Sequence, residues 1–360
     1  MKRIIRNISL KLFDILGIFK IFSFINRNNL IVLMYHGVTR CNERKGIEDY
    51  QRNHIDIKKF HKQMQFLSKK YNIISADDLR HCIINKQHFP KYSLMITIDD
   101  GYRNNYTAAF PIFKSFKIPV LIFVPTGFIT DACSKPRALW SDRGIYSIAK
   151  SKHNLLNLET IDHKEILNID TEKNKIGADK KLRAMMLYMN NDEREKIIKS
   201  IVEQTKIDLN KDVQKYEDYS LLSWGEIKEM NKQNISFGGH THNHLCLSRL
   251  PSDVIKNEIQ ISNDIFEENL KETPIFFAYP WGGAETFNCT VKNILKDNGC
   301  VGAFTTINGF NKLEKEYDFF EIKRMGIEDD MNFLNFKATV TGSAQFLKNL
   351  KNKLLRVKSG

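Results

Sequence analysis

Three histidines in five residues, His240, His242 and His244, follow Gly238-Gly239, and two adjacent aspartates, Asp99 and Asp100, separate the apolar run Met95–Ile98 from Gly101. A lone histidine is ordinarily a structural or surface group, whereas such a cluster is the pattern of a metal site. His240 and His244 stand at i and i+4, so the spacing predicts a helical turn with both imidazoles on one side, suited to a divalent ion. Thr241 occupies the place of the glutamate in an H-E-x-x-H zinc motif, so that chemistry is excluded. Two histidines and one carboxylate from another strand end make a facial donor set that leaves positions open for water and substrate. The pair of aspartates can then divide the labour. One binds the cation and is neutralised by it, and the other stays free as a general base. Without a cation, neighbours of like charge would push one pKa up. A turn and a helix cap would also account for Asp-Asp-Gly taken alone; the histidine cluster decides for metal chemistry.

These groups need a scaffold that brings distant residues together. Leu30–Met34, Ser93–Ile98, Pro119–Val124, Asn234–Phe237, Pro274–Pro280 and Val301–Thr306 read as short strands with few polar residues. Helical spacing lies between them, over Ile55–Lys69, Ala76–Ile84, Tyr102–Phe116, Ser252–Leu270 and Phe287–Asp297, with Ser75 and the Ser223–Glu226 pair as caps. Apolar strands alternating with helices predict a parallel sheet covered by helices. In such folds the strand C-terminal ends form the active face, so Tyr35-His36, Asp99-Asp100, His240–His244 and Trp281 should gather at one end. The rhythm breaks from about Ala132 to Tyr219, where Lys, Asn, Asp and Glu dominate and a helical insertion is expected.

The polar clusters themselves carry a resemblance. Thr97-Ile98-Asp99-Asp100-Gly101, His240-Thr241-His242-Asn243-His244 and Phe277-Ala278-Tyr279-Pro280-Trp281-Gly282 resemble, in order, the T-F-D-D-G, H-[ST]-x-x-H and R-x-P-[YW]-G motifs of the NodB-homology polysaccharide deacetylases, carbohydrate esterase family 4. The likeness spans about Leu30 to Gly326 apart from the insertion. It implies an α/β fold, a distorted, incomplete (β/α) barrel, and hydrolysis of N-acetyl groups from amino sugars with a divalent metal, Zn2+ first among candidates. It further implies Asp99 as base, Asp100, His240 and His244 as metal ligands, and the Trp281 backbone N–H as a donor to the oxyanion. Two departures stand out. Ala278 replaces the motif arginine, which makes Arg324, in E-I-K-R-M-G-I, the candidate to hold the base. No histidine follows His244, so the family's late general-acid motif is missing; a subgroup carries an early M-Y-H instead, and Met34-Tyr35-His36 nominates His36 as acid. Competing readings are an amidohydrolase or O-acetyl esterase on the same barrel, and a catalytically inactive carbohydrate-binding member. The intact Asp99, Asp100, His240 and His244 speak against the last.

The expected organisation is an amphipathic N-terminal helix (1–27), the first part of the barrel (28–133), the insertion (134–220), the second part of the barrel (221–340) and a basic C-terminal tail (341–360). The six cysteines form no C-x-x-C pair, so thiols are expected to be reduced and the protein cytoplasmic. A net charge of +13 suits an anionic partner, but no basic-aromatic module marks a nucleic-acid binder. In the first 27 residues Lys11, Asp14 and Lys20 interrupt the apolar run, which argues against a cleaved signal peptide. Asn7, Lys11, Asp14, Gly17 and Lys20 make one narrow polar stripe on a helix, the pattern of a helix lying in a membrane interface. Peripheral contact at the inner membrane face is therefore expected, with a packed helix or an uncleaved signal-anchor as alternatives.

Overall fold

The structure is a computed structural model, and it describes residues 2–131, 135–159, 164–312 and 317–347. Its centre is an eight-stranded sheet. The strands are β1 (Ile31–Tyr35), β2 (Asn72–Ile73), β3 (Ser93–Ile98), β4 (Val120–Val124), β5 (Ile235–Gly239), β6 (Phe276–Ala278), β7 (Gly302–Phe304) and β8 (Met325–Gly326). Their order is β7-β6-β5-β4-β3-β1-β8, with β2 flanking the first half of β3, and every pairing is parallel.

The sheet is strongly curled. Phe123 on β4 and Phe304 on β7 are three strands apart, yet their rings lie 5.2 Å from each other. Neighbouring strands are about 4.8 Å apart, so a flat sheet would hold those rings far out of contact. The segment before β8 joins the two edges: Ile322 bridges Phe304 in parallel, and Met325 pairs with Leu33 of β1. Both faces are apolar, as parallel sheets require. Leu33, Ile96, Ile98 and Ile122 pack with Phe60, Met64 and Phe113 of the helices Ile57–Lys70 and Phe110–Phe116. The alternate residues Val32, Met95, Leu121, Phe123, Phe276 and Phe304 fill the inside of the curl.

Register puts the chemistry at one end. Tyr35 pairs with Ile98, Val124 with Gly239, and Phe277 with Gly239. Residues 36, 99–100, 240 and 279–281 therefore leave the sheet side by side.

The insertion is largely helical, as expected, with the helices Trp140–Lys150, Glu172–Met186 and Asn191–Thr205. It also holds an antiparallel hairpin, Leu155–Glu159 with Lys164–Asn168, which the expectation of a helical insertion does not include. These strands are too short for alternation to stand out from helical spacing. Leu156, Leu182, Ile198 and Ile201 belong to the same apolar cluster as the barrel, so the insertion is packed onto it.

At the N-terminus, two helices, Lys2–Ile15 and Ile18–Ile25, replace the single expected one. The break is at Gly17, whose φ of 70° ends the first helix at no steric cost to glycine. Leu10 and Phe19 are buried against Ala338, and Asp14 pairs with Lys337 at 2.8 Å, both on the helix Phe333–Thr341. Part of the polar stripe thus faces protein. Most of the expected basic C-terminal tail, residues 348–360, lies outside the described residues.

Candidate active site

Asp99 continues the inward alternation of β3 set by Thr97, and it meets Arg324 inside the curl. The carboxylate accepts Arg324 Nη1 at 2.6 Å and Nη2 at 2.7 Å, a bidentate pair. The guanidinium is completely buried, donates further to the Thr305 carbonyl (2.8 Å) and Thr97 Oγ1 (3.3 Å), and lies against Phe123 and Phe304. Burial raises the Asp99 pKa, but Arg324 foremost, together with the neighbouring His240 and His36, outweighs it and holds the carboxyl below its usual range.

At Asp100 the backbone turns to φ 72°, which sends its side chain away from Asp99's partner. Asp100 Oδ1 lies 3.4 Å from His240 Nε2 and 3.3 Å from His244 Nε2, and all three residues are buried. His240 Nδ1–H donates to the Ala278 carbonyl at 2.7 Å, which fixes its tautomer and leaves the Nε2 lone pair facing the triad. Burial opposes ionisation of Asp100, but contact with the two imidazoles keeps it well below the ordinary carboxylate range. A carboxylate oxygen and two imidazole nitrogens converging on one buried point fit a divalent cation. The backbone from His240 to His244 is a loop, not the helical turn that i, i+4 spacing predicts. Thr241 and His244 adopt φ of 62° and 54°, so local bends bring the two rings together.

The other expected residues reach the same cleft, whose volume is about 220 Å³. His36 lines it half-buried at the exit of β1, beside Asp99 and Asp100. Glu328 is also within electrostatic reach of His36; both stand two residues beyond the paired Met34 and Gly326. Trp281 has φ 68°, and its backbone N–H meets no acceptor among the described residues. His242 instead points to Thr126 Oγ1 at 3.0 Å and does not line the cleft.

Sequence reasoning missed the opposite wall. Asp142 accepts Arg44 Nη1 and Nη2 at 2.7 and 2.9 Å and the Tyr102 hydroxyl at 2.8 Å. Arg183 donates through Nε to Asp179 (2.6 Å) and through Nη2 to the Ser141 carbonyl (3.0 Å). Ser141, Asp142 and Arg183 all come from the insertion and line the cleft. No local pattern distinguishes them from solvated charges.

A curled parallel barrel with a His-His-Asp triad able to hold a metal ion, beside an arginine-held carboxylate, is the arrangement of a barrel-type hydrolase. More particularly, the chain belongs to the polysaccharide deacetylase family, whose family model matches residues 86–303. It is 23% identical over 258 residues to the poly-beta-1,6-N-acetyl-D-glucosamine N-deacetylase of Staphylococcus epidermidis, covering 68% of this chain and 83% of that protein. Its fold is similar to the Streptococcus pyogenes deacetylase PplD in complex with acetate (TM-score 0.55, 18% identity, 87% of this chain and 99% of the other). It is likewise similar to IcaB from Ammonifex degensii (TM-score 0.54, 18% identity, 87% and 97%). The incomplete barrel expected from the motifs is the fold these structures share.

Proposed function

We propose that this deacetylase removes the acetyl group from an N-acetylated amino sugar within a polysaccharide, lipid-linked oligosaccharide or related cell-surface glycan, using Zn2+ held by Asp100, His240 and His244. The observation that carries this reading is the placement of two adjacent carboxylates in two different environments, one between imidazoles and one clamped by Arg324. A bound dication would polarise the acetamide carbonyl and acidify the attacking water. Asp99, kept ionised and fixed in direction by Arg324, takes the proton from that water as its oxygen bonds to the carbonyl carbon. The Trp281 N–H donates to the oxygen on which negative charge develops. His36 gives a proton to the sugar nitrogen as the C–N bond breaks, and acetate and a free amine leave.

The insertion wall bears on the substrate. Arg44 is matched by Asp142, and Arg183 by Asp179, so the wall offers donors and acceptors with no net charge from these pairs. That favours the hydroxyls of a neutral hexosamine over a phosphate-bearing sugar. Acetate release from N-acetylglucosamine oligomers by the Zn2+-loaded protein tests the reading. No release from oligomers of any linkage, with stoichiometric zinc bound, would overturn it.

We further propose peripheral membrane contact through the N-terminal helices. Among the described residues no helix is long and apolar enough to cross a membrane, yet Ile8, Leu12, Ile15, Leu16, Ile21, Phe24 and Ile25 are all more than half exposed. Lys11, Lys20 and Arg27 on the same segment suit anionic headgroups. Flotation with anionic liposomes should separate the full chain from one starting at Asn28; equal behaviour of the two would exclude the contact.

A further inference from the structure

The loop that carries His244 is gripped from two sides. On the barrel side, Glu258 of the helix Ser252–Leu270 accepts the backbone N–H groups of His242 (3.0 Å) and Asn243 (2.8 Å) on one oxygen, and the Asn243 side chain (2.7 Å) on the other. On the insertion side, Arg194 of the helix Asn191–Thr205 donates Nη2–H to the Asn243 carbonyl (3.0 Å) and Nη1–H to the His244 carbonyl (3.1 Å). A carboxylate therefore takes the loop's donors while a guanidinium takes its acceptors.

Arg194 is 1% exposed, and no carboxylate among the described residues lies within ion-pair distance of it. Removing a charge from water without a partner is costly, so its position needs a reason. The guanidinium lies 4.8 Å from the Trp140 ring, and the Trp140 indole N–H is directed at the same His244 carbonyl at 3.5 Å. Trp140 in turn packs 5.7 Å from Trp281, and the Trp281 ring is 6.4 Å from the imidazole of His244. The peptide groups being held flank a residue at φ 54°, a conformation that non-glycine residues keep only when their surroundings enforce it. His244 has no partner at Nδ1 among the described residues, so its ring is not fixed from behind in the way His240 is fixed by the Ala278 carbonyl.

We propose that Arg194, acting with Glu258 across the loop, is a positioning residue for the metal ligand His244, so that the insertion is an integral part of the metal site. The inference rests on the Asp100–His240–His244 reading. The fork of the guanidinium fixes two consecutive carbonyls, and through them the direction of the imidazole. Its charge works the other way, because a cation near a dication weakens binding. Geometry and electrostatics thus predict opposite outcomes when Arg194 is replaced.

The test measures Zn2+ dissociation constants by chelator competition on the full chain, together with the absorption bands of the Co2+-loaded protein, which report ligand geometry. Positioning predicts that Arg194→Met and Arg194→Lys both weaken Zn2+ binding, by about 10- to 100-fold, and alter the Co2+ bands, with the lysine variant failing to rescue although it keeps the charge. Unchanged or tighter binding in Arg194→Met, with the fold intact, would overturn the proposal. Should Arg194→Met fail to fold, Glu258→Gln decides, since it loosens the loop from the barrel side. Weaker binding there by about tenfold supports the proposal, and wild-type affinity rejects it. Absence of divalent metal binding by the wild-type chain would instead remove the metal-site reading itself.

Discussion

On the barrel rim, the groups assigned to chemistry hang from strand exits where the backbone bends sharply. Asp100, Thr241, His244 and Trp281 have φ of 72°, 62°, 54° and 68°. On the insertion, the groups that reach the same cleft stand in or beside regular helices: Ser141 and Asp142 within Trp140–Lys150, and Arg183 within Glu172–Met186. Each left-handed non-glycine residue costs on the order of 1–3 kcal/mol and survives only where neighbours enforce it. The rim therefore turns Asp100, His244 and Trp281 with strained backbone and keeps a buried ion pair for Asp99, whereas the insertion aims Asp142 and Arg183 with buried ion pairs on unstrained backbone. The difference assigns their tasks. The rim fixes a few atoms tightly enough for bond breaking, and the insertion shapes what may lie over them.

The sharpest way to break this division is at the rim. His244→Ala should abolish metal retention and turnover together, measured by elemental analysis and acetate release; a variant that keeps stoichiometric zinc would remove His244 from the ligand set. Asp99→Asn should leave the metal in place and lower turnover by about 100-fold or more, as loss of a general base does. Comparable turnover in that variant would reject its role.

Arg324→Met probes the link between rim geometry and charge. Breaking a buried ion pair typically costs about 3–5 kcal/mol, visible in denaturant unfolding. The sign of the accompanying pH effect follows from Asp99. Burial raises its pKa and Arg324 is the foremost of the groups that lower it, so removing Arg324 shifts the balance toward burial and the pKa rises. Ionised Asp99 is then lost at a higher pH on acidification, and the acid limb of the pH–rate profile should move upward. An unmoved limb would mean that Arg324 does not act through the base.

Arg183→Gln sharpens the comparison from the other side. A charge-assisted hydrogen bond to substrate is worth about 1.5–3 kcal/mol, so KM should rise roughly tenfold or more while kcat changes little. A fall in kcat with KM unchanged would place Arg183 in the chemistry and blur the division. The smallest effect is expected for Asp142→Asn. It keeps the shape and the hydrogen-bonding side chain but uncovers the charge of Arg44, and should therefore improve binding of a phosphate-bearing sugar relative to a neutral one, measured by competition.

The amino-acid sequence by itself determined the strand–helix alternation, the parallel sheet and the polar clusters at its strand exits, because these are local signals: periodicity, caps and runs of particular residue types. The strand Ser93–Ile98 and the Ser75 and Ser223 capping boxes stand where the sequence places them. The motif resemblance added the names of the groups to be gathered. What the tertiary structure decided is who holds whom. Arg324 reaches Asp99 across 225 residues of chain, and Arg194 reaches the His244 carbonyl across 50. Nothing in the sequence marks Arg194, and Arg324 stands out only because Ala278 occupies the place of the motif arginine. The i, i+4 histidines suggested a helix and met in a bent loop, since a dihedral forced by distant contacts leaves no periodicity to read. A buried pairing between single residues is set by the path of the whole chain, and only the folded path brings its two ends together.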